Sequence, residues 1–316
     1  MSFEEGQMVR RSFYLIPALV TFLTQAVNAG SRVIGQIPRS DGASVSGIAF
    51  DDLDPLHEPV VGDMWGRALW RVSLNDATIR QTYAFPDTFP ALCLEYIGNS
   101  KYLQVRDSPH GLSKLDVHTG AIQKMGPISG TGRYNFMDIA MDPTTGTLWM
   151  FTDESQGLEL YTLDQSSGVA THKLTLSSDK GILTSMAIGP GGEFYVTNYS
   201  GVSNGVNSIF KVDLSNGHLS AVTATGYFGA DFLTDFKYDA YRGKWFGVLE
   251  QRMGVEPDVP WLVELTGIPV PEPASLIWLA AGTLLLHRRA HVHKSRGCSY
   301  VGCASAHQSE PCRVVC

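Results

Sequence analysis

The sequence predicts an all-β chain: a single β-propeller of five four-stranded blades closed by an N-terminal strand, with a signal peptide before it and a transmembrane helix after it. Three observations carry this. Two short strand patterns each recur five times with a common rhythm, polar glycine-rich turns punctuate the copies, and the fifth copy is one strand short while a spare strand stands ahead of the first. Four short antiparallel strands repeated every 43 to 53 residues describe a propeller blade.

The first pattern is aromatic and apolar: "ALWRVSL" (68–74), "GLSKLDVHTG" (111–120), "LELYTLDQSSG" (158–168), "SIFKVDLSNG" (208–217) and "WLVELTG" (261–267). Val72, Leu115, Leu163, Val212 and Leu265 fall in register, and Thr-Gly, Ser-Gly or Asn-Gly closes the following turn in three copies. The second pattern is "GIAFD" (47–51), "CLEYI" (93–97), "DIAMD" (138–142), "SMAIG" (185–189) and "DFKYD" (235–239), aligned on Phe50, Tyr96, Met141, Ile188 and Tyr238. Turns such as "DPTTG" and "GPGG" lead from it into a second strand, and outer strands such as "TIRQTYAF" and "VATHKLTL" complete each unit.

A blade is apolar on both faces and is stable only between neighbours, so the copies must close into a ring. The fifth copy ends at "WLVELTG" without its fourth strand, and "SRVIGQIP" (31–38) precedes the first inner strand. We therefore expect 31–38 to pair beside 261–266. A β-sandwich would not repeat one side-chain pattern with one period; a sixth, degenerate blade stays open at this point. No WD pair and no kelch double glycine is present, so the body resembles only the loose class of repeat propellers, and that likeness implies no chemistry.

Composition limits the function. Apolar residues make up 44% of the 316 and charged residues 17%, which supports a sizeable core. The net charge of −7 conceals a body, residues 30–286, with 17 basic and 28 acidic residues. An acidic body repels phosphate backbones, so nucleic acid is not expected as a partner. Four of the five cysteines (Cys298, Cys303, Cys312, Cys316) lie in the last nineteen residues, leaving Cys93 alone in the body, so the ring must hold by its core without a disulfide.

The N-terminal segment "MVRRSFYLIPALVTFLTQAVNAG" has the layout of a secretory signal peptide: Arg10 and Arg11, an apolar run from Phe13 to Leu23, and small Val27 and Ala29 at −3 and −1 of a cleavage site that leaves Gly30 first. Pro17 in the middle of the run disfavours an N-terminal strand or helix of the fold, and the acidic residues before Met8 fit a start at Met8. At the other end, "PVPEPASLIWLAAGTLLLHRRA" joins a Pro-Glu-Pro turn, an uncharged run over 274–286 and a basic pair. Thirteen residues give about 20 Å of helix, short of the about 30 Å of a hydrocarbon core, and Arg288 and Arg289 would snorkel to the cytoplasmic side.

Pro271, Glu272 and Pro273, the apolar run and Arg288–Arg289, in a chain that opens with a signal peptide, resemble the PEP-CTERM sorting signal of exported bacterial proteins. The resemblance covers 269–290 and implies handling by an exosortase-type membrane protease, passage through the membrane, a cell-surface or extracellular-matrix destination, and an association with extracellular polysaccharide. It departs from the pattern in one respect: residues 291–316 continue past the arginines. Their Cys and His spacing matches no usual zinc knuckle and their apolar residues show no periodicity, so a disordered, non-native extension is the reading they fit best. The expected organisation is signal peptide 1–29, propeller 30–268, sorting signal 269–290 and tail 291–316.

Chemistry in the body is sparse. Propeller sites lie where inner-strand ends converge, which singles out Asp51, Asp52, Asp54, Asp138, Asp142 and Asp235, with Asp138 and Asp235 at aligned positions ahead of their inner strands and Ser185 in a nearby place. A carboxylate pair suits glycoside hydrolysis or calcium, but capping of turns and strand edges by Asp is the commoner use. "DDLD" lacks the glycine of a calcium loop, "SDKGILTS" lacks the tryptophan of an Asp-box, and His110 reads as a loop residue. Trp70, Trp149, Trp245 and Trp261 read as blade core, with Trp65 the best candidate for a sugar platform. No catalytic residue, cofactor or metal is assigned. The expected function is an exported, surface-sorted propeller with a binding or structural role toward extracellular polysaccharide; the alternative is a carbohydrate-active enzyme using Asp138 and Asp235.

Overall fold

The computed structural model describes residues 30–38, 45–51, 54–63, 68–85, 91–99, 101–106, 111–131, 135–154, 157–177, 182–199, 208–224, 231–251 and 260–270. The expected signal peptide (Val27 and Ala29 included), the sorting motif from Pro271 through Arg289, the tail, Asp52, Trp65 and His110 lie outside these residues. No helix among the described residues is long and apolar enough to cross a membrane.

The described residues form five antiparallel four-stranded sheets. Blade 1 holds β2 (Val45–Phe50), β3 (Pro59–Asp63), β4 (Ala68–Val72) and β5 (Ile79–Ala84); blade 2 holds β6 (Ala91–Tyr96), β7 (Lys101–Arg106), β8 (Gly111–Asp116) and β9 (Ala121–Pro127). Blade 3 holds β10 (Asn135–Met141), β11 (Leu148–Glu154), β12 (Gly157–Leu163) and β13 (Ala170–Leu176); blade 4 holds β14 (Ile182–Ile188), β15 (Phe194–Tyr199), β16 (Ser208–Val212) and β17 (Leu219–Ala224). Blade 5 runs in the order β1 (Gly30–Gln36), β20 (Pro260–Thr266), β19 (Lys244–Gln251) and β18 (Asp231–Asp239). Each inner strand touches the next around the circle, β2 on β6, β6 on β10, β10 on β14, β14 on β18 and β18 on β2, so five blades close the ring.

Closure takes the form the strand count demands. β1 runs antiparallel to β20, with Gly30 opposite Thr266 and Gln36 opposite Trp261. Ile37 N–H extends the ladder to Pro260 O at 2.9 Å, and Arg32 pairs with Glu264 at 2.7 Å. Pairing gives β20 a partner on its outer edge, which would otherwise expose a row of free amides.

The core is divided into five seams. One joins Val60, Leu69 and Tyr83 of blade 1 to Leu94, Tyr102 and Leu115 of blade 2, and another joins Phe246, Val248 and Leu262 of blade 5 to Ile48 and Val61 of blade 1. The recurring residues Val72, Leu115, Leu163, Val212 and Leu265 are all at most 5% exposed, each burial stabilising by about 1.5–3 kcal/mol. Trp245 is buried and Trp149 packs partly buried against its seam, as expected of blade core. Turn chemistry repeats as well: Asp116, Asp142, Asp164, Asp213 and Asp239 each accept amides two or three residues on, and a left-handed glycine follows four positions after each.

Candidate functional site

The inner strands share one irregularity that builds the centre of the ring. Each carries a register shift at the same place: between Val45 and Gly47, Ala91 and Cys93, Phe136 and Asp138, Leu183 and Ser185, and Leu233 and Asp235. A β-bulge re-aims the residue beyond it. Past the bulge, side chains alternate. Ile48, Leu94, Ile139, Met186 and Phe236 are fully buried in the blades, while two columns remain for the axis: Gly47, Cys93, Asp138, Ser185 and Asp235, then Ala49, Glu95, Ala140, Ala187 and Lys237. Gly47 is required by crowding, since a Cβ there would sit 2.7 Å from the Leu94 Cβ.

Asp138 and Asp235 do converge, but inside their strands rather than ahead of them. They are 2% and 0% exposed. Asp138 accepts the amide of Ile139 at 2.7 Å and, across the blade seam, that of Met186 at 2.8 Å. Asp235 accepts Phe236 N–H at 2.7 Å and, across the next seam, Ile48 N–H at 2.8 Å. Ser185 Oγ lies between them, 2.8 Å from Asp138 Oδ2 and 2.9 Å from Asp235 Oδ1. A hydroxyl has one proton to give. The three groups are mutually satisfied when one further proton resides on the pair. Burial, then the Asp138 charge, pushes the Asp235 carboxyl well above the carboxylate range, and burial raises Asp138 less far, so Asp235 is the readier of the two to hold that proton.

Lys237 occupies the middle. Its side chain is 9% exposed, and Nζ donates to Ile139 O at 2.9 Å and Met186 O at 3.3 Å. It stands 3.3 Å from Glu95 Oε2, 3.7 Å from Asp235 and 4.0 Å from Asp138. Burial alone would discharge this ammonium, but Asp138, Asp235 and Glu95 together hold its pKa above that of a free lysine. Burial raises the Glu95 carboxyl to about 7 against the pull of Lys237. Cys93 is a buried thiol pushed up by burial and by Asp138, so it is not a thiolate nucleophile at neutral pH.

Beyond Glu95 and Lys237, where the inner strands end, a cavity of about 730 Å³ opens. The aligned residues Phe50, Tyr96, Met141, Ile188 and Tyr238 all line it, one from each blade. Ala49 and Ala140 leave it room, and Glu95 and Lys237 supply its acidic and basic groups. Neither Asp138 nor Asp235 lines this cavity.

Among the described residues, Asp54 and Asp142 serve turns. Asp54 accepts the amides of Leu56 and Glu58 and pairs with Arg71 at 3.2 Å; Asp142 accepts Thr144 N–H and both the Thr144 and Thr145 hydroxyls; Asp51 is buried beside that first turn, its backbone carbonyl accepting Asp54 N–H. Among the described residues no group of three or more His, Cys, Asp or Glu side chains is arranged to hold a metal. Sequence reasoning passed over Glu95 and Lys237. Their signal was the aligned repeat: the position before Phe50, Tyr96, Met141, Ile188 and Tyr238 reads Ala, Glu, Ala, Ala, Lys, two opposite charges in a column of alanines.

No family model and no curated protein matches the chain. Among solved structures, a glucose dehydrogenase is similar over 74% of this chain and 98% of its own, at 10% identity and a TM-score of 0.45. A TolB protein from Agrobacterium tumefaciens is similar over 71% and 80%, at 17% identity and 0.42. A gluconolactonase from Xanthomonas campestris is similar over 76% and 91%, at 13% identity and 0.43. Likeness at these values assigns no activity to this chain.

Proposed function

We propose that the protein is an exported, surface-sorted propeller with a non-catalytic binding role, its ligand entering the cavity where the inner strands end. The observation that carries this is the bonding of Asp138 and Asp235. Both carboxyls are spent on amides across blade seams and on Ser185, and neither lines the cavity. A glycosidase needs one carboxyl able to protonate a leaving group and another facing the sugar; a pair walled off at 0–2% exposure serves the ring. Export and sorting rest on the Val27–Ala29 cleavage pattern and on Pro271, Glu272, Pro273, Arg288 and Arg289, with an exosortase-type protease and the membrane as processing partners and extracellular polysaccharide as the macromolecular setting.

Two measurements test the reading. The full chain, incubated with a panel of bacterial polysaccharides, is expected to release no reducing ends above buffer while being retained by at least one of them. Hydrolysis that Asp138→Asn abolishes would establish the enzyme instead. In a host with an exosortase system, alanine at Pro271, Glu272 and Pro273 is expected to arrest the protein in the membrane fraction; unaltered release would remove the sorting proposal.

A further inference from the structure

The two most exposed large apolar side chains among the described residues are Tyr241, at 70%, and Leu56, at 59%. They belong to two turns that meet across the seam between blades 5 and 1. The turn after β18 carries Tyr241, and the turn after β2 carries Leu56 and His57. Arg242 clamps the two together: its guanidinium donates to His57 O at 2.6 Å and to Leu56 O at 2.9 Å, and pairs with Asp239 at 2.8 Å. Asp239, itself buried, also accepts Tyr241 N–H at 2.9 Å. The clamp holds the His57 and Tyr241 rings in a stack, with 3.8 Å between centroids and 10° between planes. His57 sits at φ +47°, left-handed backbone that a residue with a Cβ disfavours. Such a conformation persists only where its surroundings over-determine it, and it marks places built for a purpose. His57 covers one face of the Tyr241 ring, and the Arg242 guanidinium carbon stays 5.6 Å from the ring centre. At 70% exposure the other face is open.

We propose that this stack is a platform for a neutral β-linked glycan, one pyranose ring of which lies on the open face of Tyr241. The flat face of a β-linked pyranose presents C–H hydrogens, which suit the electron-rich face of an aromatic ring. The platform is rigid and one ring wide. A stable protein interface takes about 20–30 residues a side, whereas the other exposed large apolar residues, Val33, Val169, Leu214 and Val270, lie on other strands and turns. A single ring is the occupant that fits. Charge then selects a neutral one. Arg242 is paired with Asp239 and Lys244 with Glu264, both at 2.8 Å, so the two cations of this hairpin are taken, and the acidic body repels polyanions. The platform adjoins the cavity: Phe50 and Tyr238, from the same two inner strands, line it, as does Ala240, next in the chain to Tyr241. A glycan on Tyr241 therefore lies at the lip, where one polymer chain reaches both. The proposal rests on the binding reading above and adds the ligand class and a contact outside the cavity.

The test is calorimetry on the full chain, in a non-glycosidic detergent, with three soluble probes: cellohexaose, isomaltohexaose and hexagalacturonate. Cellohexaose is expected to bind at least about fivefold more tightly than the α-linked isomaltohexaose or the acidic hexagalacturonate. Tyr241→Ala should weaken cellohexaose by at least about fivefold, and Tyr241→Phe should leave it within about twofold. Tyr241 is exposed, so both variants should keep the parent Tm within about 3 °C, which separates a lost contact from a lost fold. His57→Gly, which removes the lower ring and relieves the left-handed φ, should weaken cellohexaose by about threefold or more with Tm unchanged or raised. Cellohexaose binding that Tyr241→Ala leaves intact overturns the platform and leaves the cavity reading standing. Tightest binding of hexagalacturonate overturns the neutral class. Binding of none of the three overturns the proposal, while retention on the polysaccharide panel judges the cavity reading separately.

Discussion

Replacing Lys237 by Met keeps the length of the side chain and removes the charge at the centre of the ring. The structure sets the size of the effect. Removing Nζ loses its bonds to Ile139 O and Met186 O and leaves Glu95 and Asp138 without a cation within 4.0 Å among the described residues. Breaking a buried ion pair by removing one partner costs about 3–5 kcal/mol. With a urea slope of about 3 kcal/mol per molar for a body of this size, the unfolding midpoint at pH 7 should fall by about 1–1.7 M, followed by tryptophan fluorescence. The stranded carboxyls would relieve their repulsion by taking up protons, so the loss should be smaller at pH 5. A loss under about 1 kcal/mol at pH 7, or one as large at pH 5, would refute the account of Lys237 as the hub's counter-ion.

Four further outcomes are expected. The Glu95 pKa is raised in the fold from 4.5 to about 7; the folded state therefore holds that proton more tightly, and stability should fall by about 3 kcal/mol as pH rises from 4.5 through 7, a slope that Glu95→Gln abolishes in pH-dependent denaturation. The turn carboxylates run the other way: Asp142, Asp164 and Asp213 are held below their ordinary range by their hydrogen bonds, so their stabilisation is present above pH 3.8 and is lost as pH falls through their folded values. Asp235→Asn, replacing the carboxyl that holds the shared proton more readily, should cost about 1 kcal/mol, whereas Asp138→Asn, whose single oxygen cannot serve both Ile139 N–H on one side and Met186 N–H with Ser185 Oγ on the other, should cost about 3 kcal/mol; equal costs by urea titration would remove the shared-proton assignment. Gly217→Ala, at φ +75° with a Cβ directed at the Thr175 carbonyl, should lose at least about 1–2 kcal/mol of stability, read as a fall in Tm.

The ring was legible because each of its features is periodic. The apolar residues from Val72 to Leu265 announce buried strands, the Asp-to-Gly turns announce hairpins, and a missing strand beside a spare one announces the pairing of β1 with β20. Asp138 and Asp235 stood out because they share a column, yet their role was not legible. Whether two aligned carboxyls face solvent or a neighbour's amide depends on a bulge, and a bulge leaves no residue signature when Ser46, Leu92, Met137, Thr184 and Thr234 occupy it in turn. Glu95 and Lys237 were hidden for the opposite reason. They are the exceptions within a column, and a search for what recurs discards exceptions, although the asymmetry that makes a site in a symmetric ring can only come from them.

β1 has a further consequence in time. It is made first and hydrogen-bonded last, since its partner β20 follows more than two hundred residues later, whereas the outer strand of every other blade meets its partner across a short turn. Closing so long a loop costs about 3 kcal/mol more than closing a ten-residue hairpin. Because Gly30 and Thr266 end up side by side, a short linker joining them, with new ends opened between two other blades, would make all five blades local and move the waiting strand elsewhere or abolish it. The order in which blades form would then be set by where the circle is cut, which makes the natural cut a kinetic choice as much as a structural one.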